Sequence, residues 1–147
     1  MKILMRHRVA CGRNWDIICG SDLTLKSEQR AFWRYRAEFQ IQVVIMAPIC
    51  GPFGSMSRLS KVIHYDSWKE SFDYALELGS FCGYVALAQL NDGLDFFVEQ
   101  PVGSELYAQE PWPLVRGHSR TRRTVMDQCQ TGAQSRNGQP IRKRSEL

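Results

Sequence analysis

Two residues of this sequence, Cys50 and Glu99, have the types and surroundings that nucleophilic chemistry requires. Cys50 lies in the Pro- and Gly-rich segment 48–52 (PICGP), directly after the apolar run 41–47. A thiol becomes a strong nucleophile once its pKa is lowered, and a carboxyl group across a cleft can donate or accept a proton. In the alternative interpretation, Cys50 is a small buried side chain, and Glu99 is a solvated carboxylate unrelated to it. The pair predicts covalent chemistry only if the fold brings both residues to one cleft.

The elements around Cys50 and Glu99 predict such a cleft. The β-branched run 41–47 is typical of a buried strand, and residues 94–98 predict a second strand that ends just before Glu99. Between them, apolar residues at helical spacing predict a helix over 68–90 that buries Phe72, Leu76 and Leu90. A strand–helix–strand order favours a right-handed crossover and a parallel sheet, in which ligands bind beyond the carboxyl ends of the strands.

The predicted fold class is therefore α/β, a partial Rossmann-like parallel sheet with flanking helices. The run 15–19 predicts an additional strand, and Thr24 is expected to cap a helix over 25–39. Asp66 or Ser67 is expected to cap the long helix, and residues 124–126 are a further candidate buried strand.

Composition narrows the class of protein. The 147 residues are 44% hydrophobic and 11% aromatic, which is typical of one globular domain rather than of a disordered chain. No apolar run approaches the roughly 20 residues of a membrane helix, and charges interrupt the N-terminal segment, so neither a membrane span nor a signal peptide is predicted. Five cysteines without a CxxC pair favour a reducing compartment, nuclear or cytoplasmic. His7, Cys11 and Cys19 lack a second ligand pair, so no metal site is predicted.

Positive charge is concentrated at the C-terminal end. The net charge is +4, yet residues 116–147 contain seven Arg and one Lys against only Asp127 and Glu146. We interpret residues 1–131 as the folded domain and residues 132–147 as a basic, polar tail. Such tails often contact nucleic acid, and a solvated terminus is the alternative.

Several segments together resemble the DNA cytosine-5 methyltransferases. Residues 47–55 (APICGPFGS) resemble their Pro-Cys loop, and residues 97–101 (FVEQP) resemble their Glu-Asn-Val or Glu-Asn-Pro motif. Residues 20–24 (GSDLT) and 139–144 (QPIRKR) are similar to their Gly-Asp-Ile and Gln-x-Arg-x-Arg segments, in the same order along the chain. Residues 127–132 (DQCQTG) are similar to the Asp-x-Cys-x-x-Gly element of a divergent branch found in retroelement-type polyproteins.

The resemblance implies a role for five residues. Cys50 would be the nucleophile that adds to C6 of cytosine, Glu99 would protonate or hydrogen-bond N3, and Arg142 would bind the base edge. Asp22 would contact the adenine of S-adenosylmethionine, and Pro48 would shape the loop beside the methyl donor. The target base would be flipped out of a duplex to reach this pocket.

This sequence departs from the family pattern in ways that affect activity. Gln100 stands where the family has Asn, and the family's Gly-rich cofactor loop is not found before the segment 20–24. The resemblance therefore implies a partial domain, incomplete or inactive as this chain. One alternative is a non-enzymatic, retroelement-derived remnant that binds nucleic acid through its basic tail. Another is a cysteine hydrolase in which His64 or His118 would activate Cys50.

Overall fold

The computed structural model describes residues 10–147, and the chain divides between residues 41 and 42 into two compact units. His7 lies outside the described residues. The second unit carries the mixed α/β architecture. Residues 132–147, predicted as a tail, contribute a strand to it.

In the first unit, residues 10–41 contain one α-helix, α1 (Lys26–Glu38), close to the predicted 25–39. The predicted strand over 15–19 is wrong: Ile17–Cys19 forms a 3-10 turn, because the Asp16 carboxylate accepts the Ile18 N–H and Gly20 ends the turn with a left-handed backbone. Thr24 does not cap α1. Its hydroxyl donates instead to Asp22, and Leu25 precedes the helix without a side-chain cap.

The second unit is built on the predicted parallel strand pair. Strand β1 (Val43–Met46) pairs in parallel with β2 (Asp95–Val98), with Val43 opposite Asp95 and Met46 opposite Val98. The parallel arrangement of the two apolar runs is confirmed. Among the described residues, this sheet contains two strands.

The crossover between β1 and β2 contains two helices. A short helix, α2 (Ser57–Ile63), was not predicted, and it leads directly into the long helix α3 (Tyr65–Asn91), so that neither Asp66 nor Ser67 is the cap. Leu90 is buried as expected. The prediction that Phe72 and Leu76 are buried is wrong, because both are half-exposed.

Small residues of α3 let the chain that follows β2 approach closely. A Cβ atom added to Gly79 would lie 2.5 Å from Leu106, and one added to Gly83 would lie 2.7 Å from Pro111. Phe72 and Leu76 lie on the same face of the helix as these glycines, nearer to its N-terminal end. The segment that approaches the glycines consists of the 3-10 helix Glu105–Ala108 and α4 (Trp112–Gly117).

A second, antiparallel sheet follows. It contains β3 (Gln100–Pro101), β4 (Val125–Asp127) and β5 (Arg144–Glu146), with β5 in the middle. Residues 124–126 were expected to add a buried strand to the parallel sheet. They contribute instead to β4 of the antiparallel sheet, where Val125 is 51% exposed. Within residues 10–147, none of the helices combines the length and hydropathy that crossing a membrane requires.

Candidate functional site

Cys50 and Glu99 follow the carboxyl ends of two adjacent parallel strands. Glu99 comes directly after β2, and its N–H donates to the Met46 carbonyl of β1 over 3.1 Å. Cys50 lies four residues beyond β1, where its carbonyl accepts the Phe53 N–H and begins the 3-10 turn Gly51–Phe53. The Cys50 side chain is half-exposed. Both residues therefore belong to the edge of the sheet at which ligands bind in α/β folds.

Gln100 ties the cysteine loop to the segment that carries Glu99. Its side-chain amide is completely buried, and Nε2 donates to the Pro48 carbonyl over 2.7 Å. Its Oε1 accepts the Ser104 hydroxyl over 2.9 Å, and the Ser104 oxygen accepts the Leu106 N–H. A buried amide with both ends satisfied fixes the groups it joins. Gln100 therefore sets the position of the loop relative to Glu99.

The Glu99 carboxylate is held through one oxygen. Its Oε1 accepts the Ser145 hydroxyl at 2.5 Å, the Lys143 ammonium at 3.3 Å and the Gln128 amide at 3.4 Å. Within residues 10–147 no donor is recorded for Oε2, and the side chain retains 25% of its exposure. The carboxylate is thus oriented by the second sheet with one oxygen available to a ligand.

Arg142 does not join this cluster. Its side chain is 74% exposed, and Nε lies 3.1 Å from Asp127 Oδ2. Alternation along the extended chain explains the arrangement: Lys143 and Ser145 contact Glu99, whereas Arg142 and Arg144 lie near Asp127. Sequence reasoning missed Lys143, Ser145 and Gln128. The alternation of side chains along residues 142–145 was the available signal. It indicates which side chains face Glu99 only when the pairing of β5 is known.

Both residues assigned to the cofactor already use polar atoms in hydrogen bonds within the chain. Asp22 accepts both the hydroxyl and the N–H of Thr24 on Oδ1, and these hydrogen bonds, the hydroxyl first, hold the pKa of Asp22 below its usual range. Pro48 offers its carbonyl, which already accepts the Gln100 amide. Within residues 10–147 no donor is recorded for Asp22 Oδ2. Asp22 and Pro48 belong to different compact units.

Other chemistries find little support among the described residues. No group of three or more His, Cys, Asp and Glu side chains within residues 10–147 is arranged to hold a metal ion. His118 accepts the Arg120 N–H on Nδ1, and His64 lies at the junction of α2 and α3. Neither histidine has a recorded hydrogen bond to Cys50. The geometry thus does not provide the histidine base that a cysteine hydrolase needs.

Cys82 provides an internal contrast to Cys50. It is buried on α3, and burial raises its pKa to about 12. We expect iodoacetamide at pH 8 to alkylate the exposed Cys11 and Cys19 in the native protein and to leave Cys82 unmodified, because the thiolate is the reactive form. Peptide mass spectrometry measures this directly. Labelling in concentrated urea is the control, since unfolding should make Cys82 react like the other thiols.

The raised pKa of the Cys82 thiol also makes the stability of the protein depend on pH. The unfolded thiol ionises near its ordinary pKa of 9.0, well below the folded value of about 12, so the unfolded state loses its proton first. The contribution of Cys82 to stability should therefore be complete below pH 9 and decline as the pH rises above it. Native alkylation of Cys82 at the rate of Cys11 would contradict both statements.

No family model, curated protein or solved structure matches this chain.

Proposed function

We propose that this chain is a cytosine-C5 methyltransferase-like domain in which Cys50 is the nucleophile and Glu99 activates the base. The observation that carries the proposal is the hydrogen bond from Gln100 Nε2 to the Pro48 carbonyl, which joins the two motifs at the ends of paired parallel strands. The finer fold assignment, a partial Rossmann-like sheet, belongs to the same proposal. The sequence supplies the two motifs, and the hydrogen bond between them supports their interpretation as parts of one site.

The chemistry assigned to these residues is an addition to the pyrimidine ring. The Cys50 thiolate forms a bond to C6, the C5–C6 π electrons move to the C4–C5 bond, and the C4–N3 π pair moves to N3. N3 takes up a proton by way of Glu99 Oε2, the oxygen for which no protein donor is recorded within residues 10–147. The neutral enamine that results is nucleophilic at C5. Reversal of the steps releases the base unchanged.

We expect this chain to complete the addition but not the methylation. S-Adenosylmethionine held by Asp22 and Pro48 would compete with the hydrogen bonds that Asp22 Oδ1 and the Pro48 carbonyl already accept. Binding of the cofactor should therefore be weak or absent. A DNA duplex containing 5-fluorocytosine should form no stable adduct with this chain, because a stable adduct requires the methyl group at C5.

A second candidate is a non-enzymatic nucleic-acid-binding protein. It is favoured by the exposure of Arg142 (74%) and Arg144 (64%), which lie near a single carboxylate, that of Asp127. Two exposed guanidinium groups beside one carboxylate leave positive charge for phosphate contacts. This candidate needs neither Cys50 nor Glu99.

The test measures exchange of the C5 hydrogen without any cofactor. Addition at C6 makes C5 nucleophilic, so C5 takes up a proton from water. Transfer of the tritium from C5 to water and expulsion of the Cys50 thiolate from C6 then restore the ring, so an oligonucleotide labelled with tritium at cytosine C5 should release tritium to water when incubated with the protein. We expect Cys50→Ala to abolish release, and Glu99→Gln to reduce it by about 10²–10⁴-fold because the general acid is lost. Cys129→Ala is the matched control, since Cys129 is also half-exposed and lies outside the proposed chemistry.

The outcomes separate the two candidates. Release that survives Cys50→Ala would exclude the nucleophile assignment. If the wild-type protein releases no tritium, yet binds the oligonucleotide with an affinity that falls with salt and with Arg142→Ala, the second candidate is supported instead.

A further inference from the structure

A cavity runs along strand β2, and neither Cys50 nor Glu99 is among the residues that line it. Its volume is about 410 Å³, and five consecutive residues, 94–98, line one side of it. Trp112 and Val115 of α4 form part of the opposite wall, and residues 120–124 complete the rim. A cavity lined by consecutive residues of a strand contacts the strand's edge as well as its side chains.

The hydrogen-bond pattern of β2 shows which edge this is. The N–H groups of Asp95 and Glu99 donate to β1, at the carbonyls of Gln42 and Met46. Because main-chain groups alternate along a strand, Phe96 and Val98 direct their N–H and C=O groups to the opposite edge. Within residues 10–147, β2 pairs only with β1, and no main-chain partner is recorded for Phe96 or Val98 on this side.

This free edge is unusual because it is partly buried. Val98 is only 6% exposed, and Phe96 is partly buried. Buried main-chain N–H and C=O groups nearly always have a partner. The edge is therefore prepared for another strand, which would satisfy these groups.

The charge around the cavity selects the type of strand. Four arginines line it, Arg116, Arg120, Arg122 and Arg123, against the carboxylates of Asp95 and Glu146. Glu146 is already paired with Arg116 and Arg123, and Asp95 with Arg120. Arg122 donates only to the Ser119 and Thr121 carbonyls in residues 10–147. An excess of positive charge over an apolar floor favours an acidic partner with alternating apolar side chains.

We propose that the free edge of β2 binds an extended, acidic polypeptide segment as a third strand of the parallel sheet. Main-chain hydrogen bonds to Phe96 and Val98 would provide much of the affinity, and the arginine rim would provide the selectivity for acidic side chains. This inference is independent of the proposed chemistry at Cys50.

The experiment uses the full chain and the synthetic peptide acetyl-Asp-Val-Glu-Val-Asp-Val-Glu-amide. Binding is measured by calorimetry, and amide hydrogen exchange is measured by NMR with and without the peptide. We expect exchange at Phe96 and Val98 to slow at least tenfold on binding. The amides of Asp95 and Glu99 are internal references, because they are already bonded to β1 and should change little.

Two N-methylated forms of the peptide test strand pairing directly. Methyl groups on alternate residues remove the N–H groups of one edge only. The form methylated on the edge that faces β2 should therefore bind at least tenfold more weakly. The form methylated at the other alternate positions should keep the affinity of the parent peptide. On the protein, Arg122→Glu should weaken binding at least tenfold, and Arg136→Glu, at an exposed position that does not line the cavity, is the matched control.

Three results would overturn the proposal: the peptide does not bind, both methylated forms lose the same affinity, or the peptide binds without slowing amide exchange at Phe96 and Val98. Decanoate is the comparison ligand: if it binds the cavity and the peptide does not, the site accepts a small apolar anion rather than a strand.

Discussion

Replacing Trp112 with alanine is expected to lower the free energy of unfolding by about 3–5 kcal/mol, the usual cost of removing a large aromatic side chain from a core. Trp112 is 1% exposed and packs edge-on against Tyr107, with ring centroids 5.5 Å apart. Its indole N–H also donates to the Gly79 carbonyl over 3.0 Å. The change thus creates a cavity and removes one of the two hydrogen bonds to the Gly79 carbonyl, which lies inside α3 and keeps its helical donor. Urea unfolding followed by circular dichroism measures the loss of stability.

Two further variants separate these contributions. Trp112→Phe keeps most of the ring but removes the donor to Gly79, so it should cost about 0.5–1.5 kcal/mol, as expected for one lost hydrogen bond to a carbonyl that keeps its helical donor. Leu114→Ala, on the same helix at a position 62% exposed, should change stability by no more than about 0.5 kcal/mol. If Trp112→Ala destabilised the protein no more than Leu114→Ala does, the packing of α4 against α3 described here would be wrong.

Replacing Gln100 with alanine is the second large effect that we expect, about 2–4 kcal/mol of lost stability. The change removes the donor to the Pro48 carbonyl and the acceptor for the Ser104 hydroxyl, both in buried surroundings. Each buried polar group left without a partner costs about 1–3 kcal/mol. The same change frees the cysteine loop from the strand that carries Glu99, so tritium release in the exchange assay should also fall.

Gln100→Asn sharpens this prediction. Asparagine is the residue of the cytosine-5 methyltransferase motif, but its side chain is one methylene shorter, and the amide should no longer reach the Pro48 carbonyl. We expect it to lose most of the stability that alanine loses. Gln130→Ala, at an exposed position, is the control and should have little effect on stability. Full stability of Gln100→Asn would mean that the bond to Pro48 does not hold the loop.

The contacts of Glu99 link the two sheets of the second unit. Ser145 and Lys143, which hold its carboxylate, belong to the C-terminal segment that composition alone describes as a basic tail. That segment therefore orients the candidate site and also presents Arg142 on the surface. Lys143 and Ser145 thus contact Glu99, whereas Arg142, which contacts the carboxylate of Asp127, remains 74% exposed.

The amino-acid sequence by itself determined the elements whose signals are local. The β-branched run 41–47 and the apolar run 94–98 predicted two strands, found at 43–46 and 95–98, and the helical spacing between them predicted α3, so the parallel pairing followed from the crossover rule. It also placed Cys50 and Glu99 after the two strand ends. These predictions succeeded because side-chain periodicity and strand order depend on neighbouring residues.

The tertiary structure alone decided which partners these elements have. Residues 125–127 joined an antiparallel sheet because β5 lies beside them. The contact between Ser145 and Glu99 spans 46 positions in the sequence, and the bond between Gln100 and Pro48 spans 52. Such contacts form only when distant segments pack together, and no local pattern encodes them.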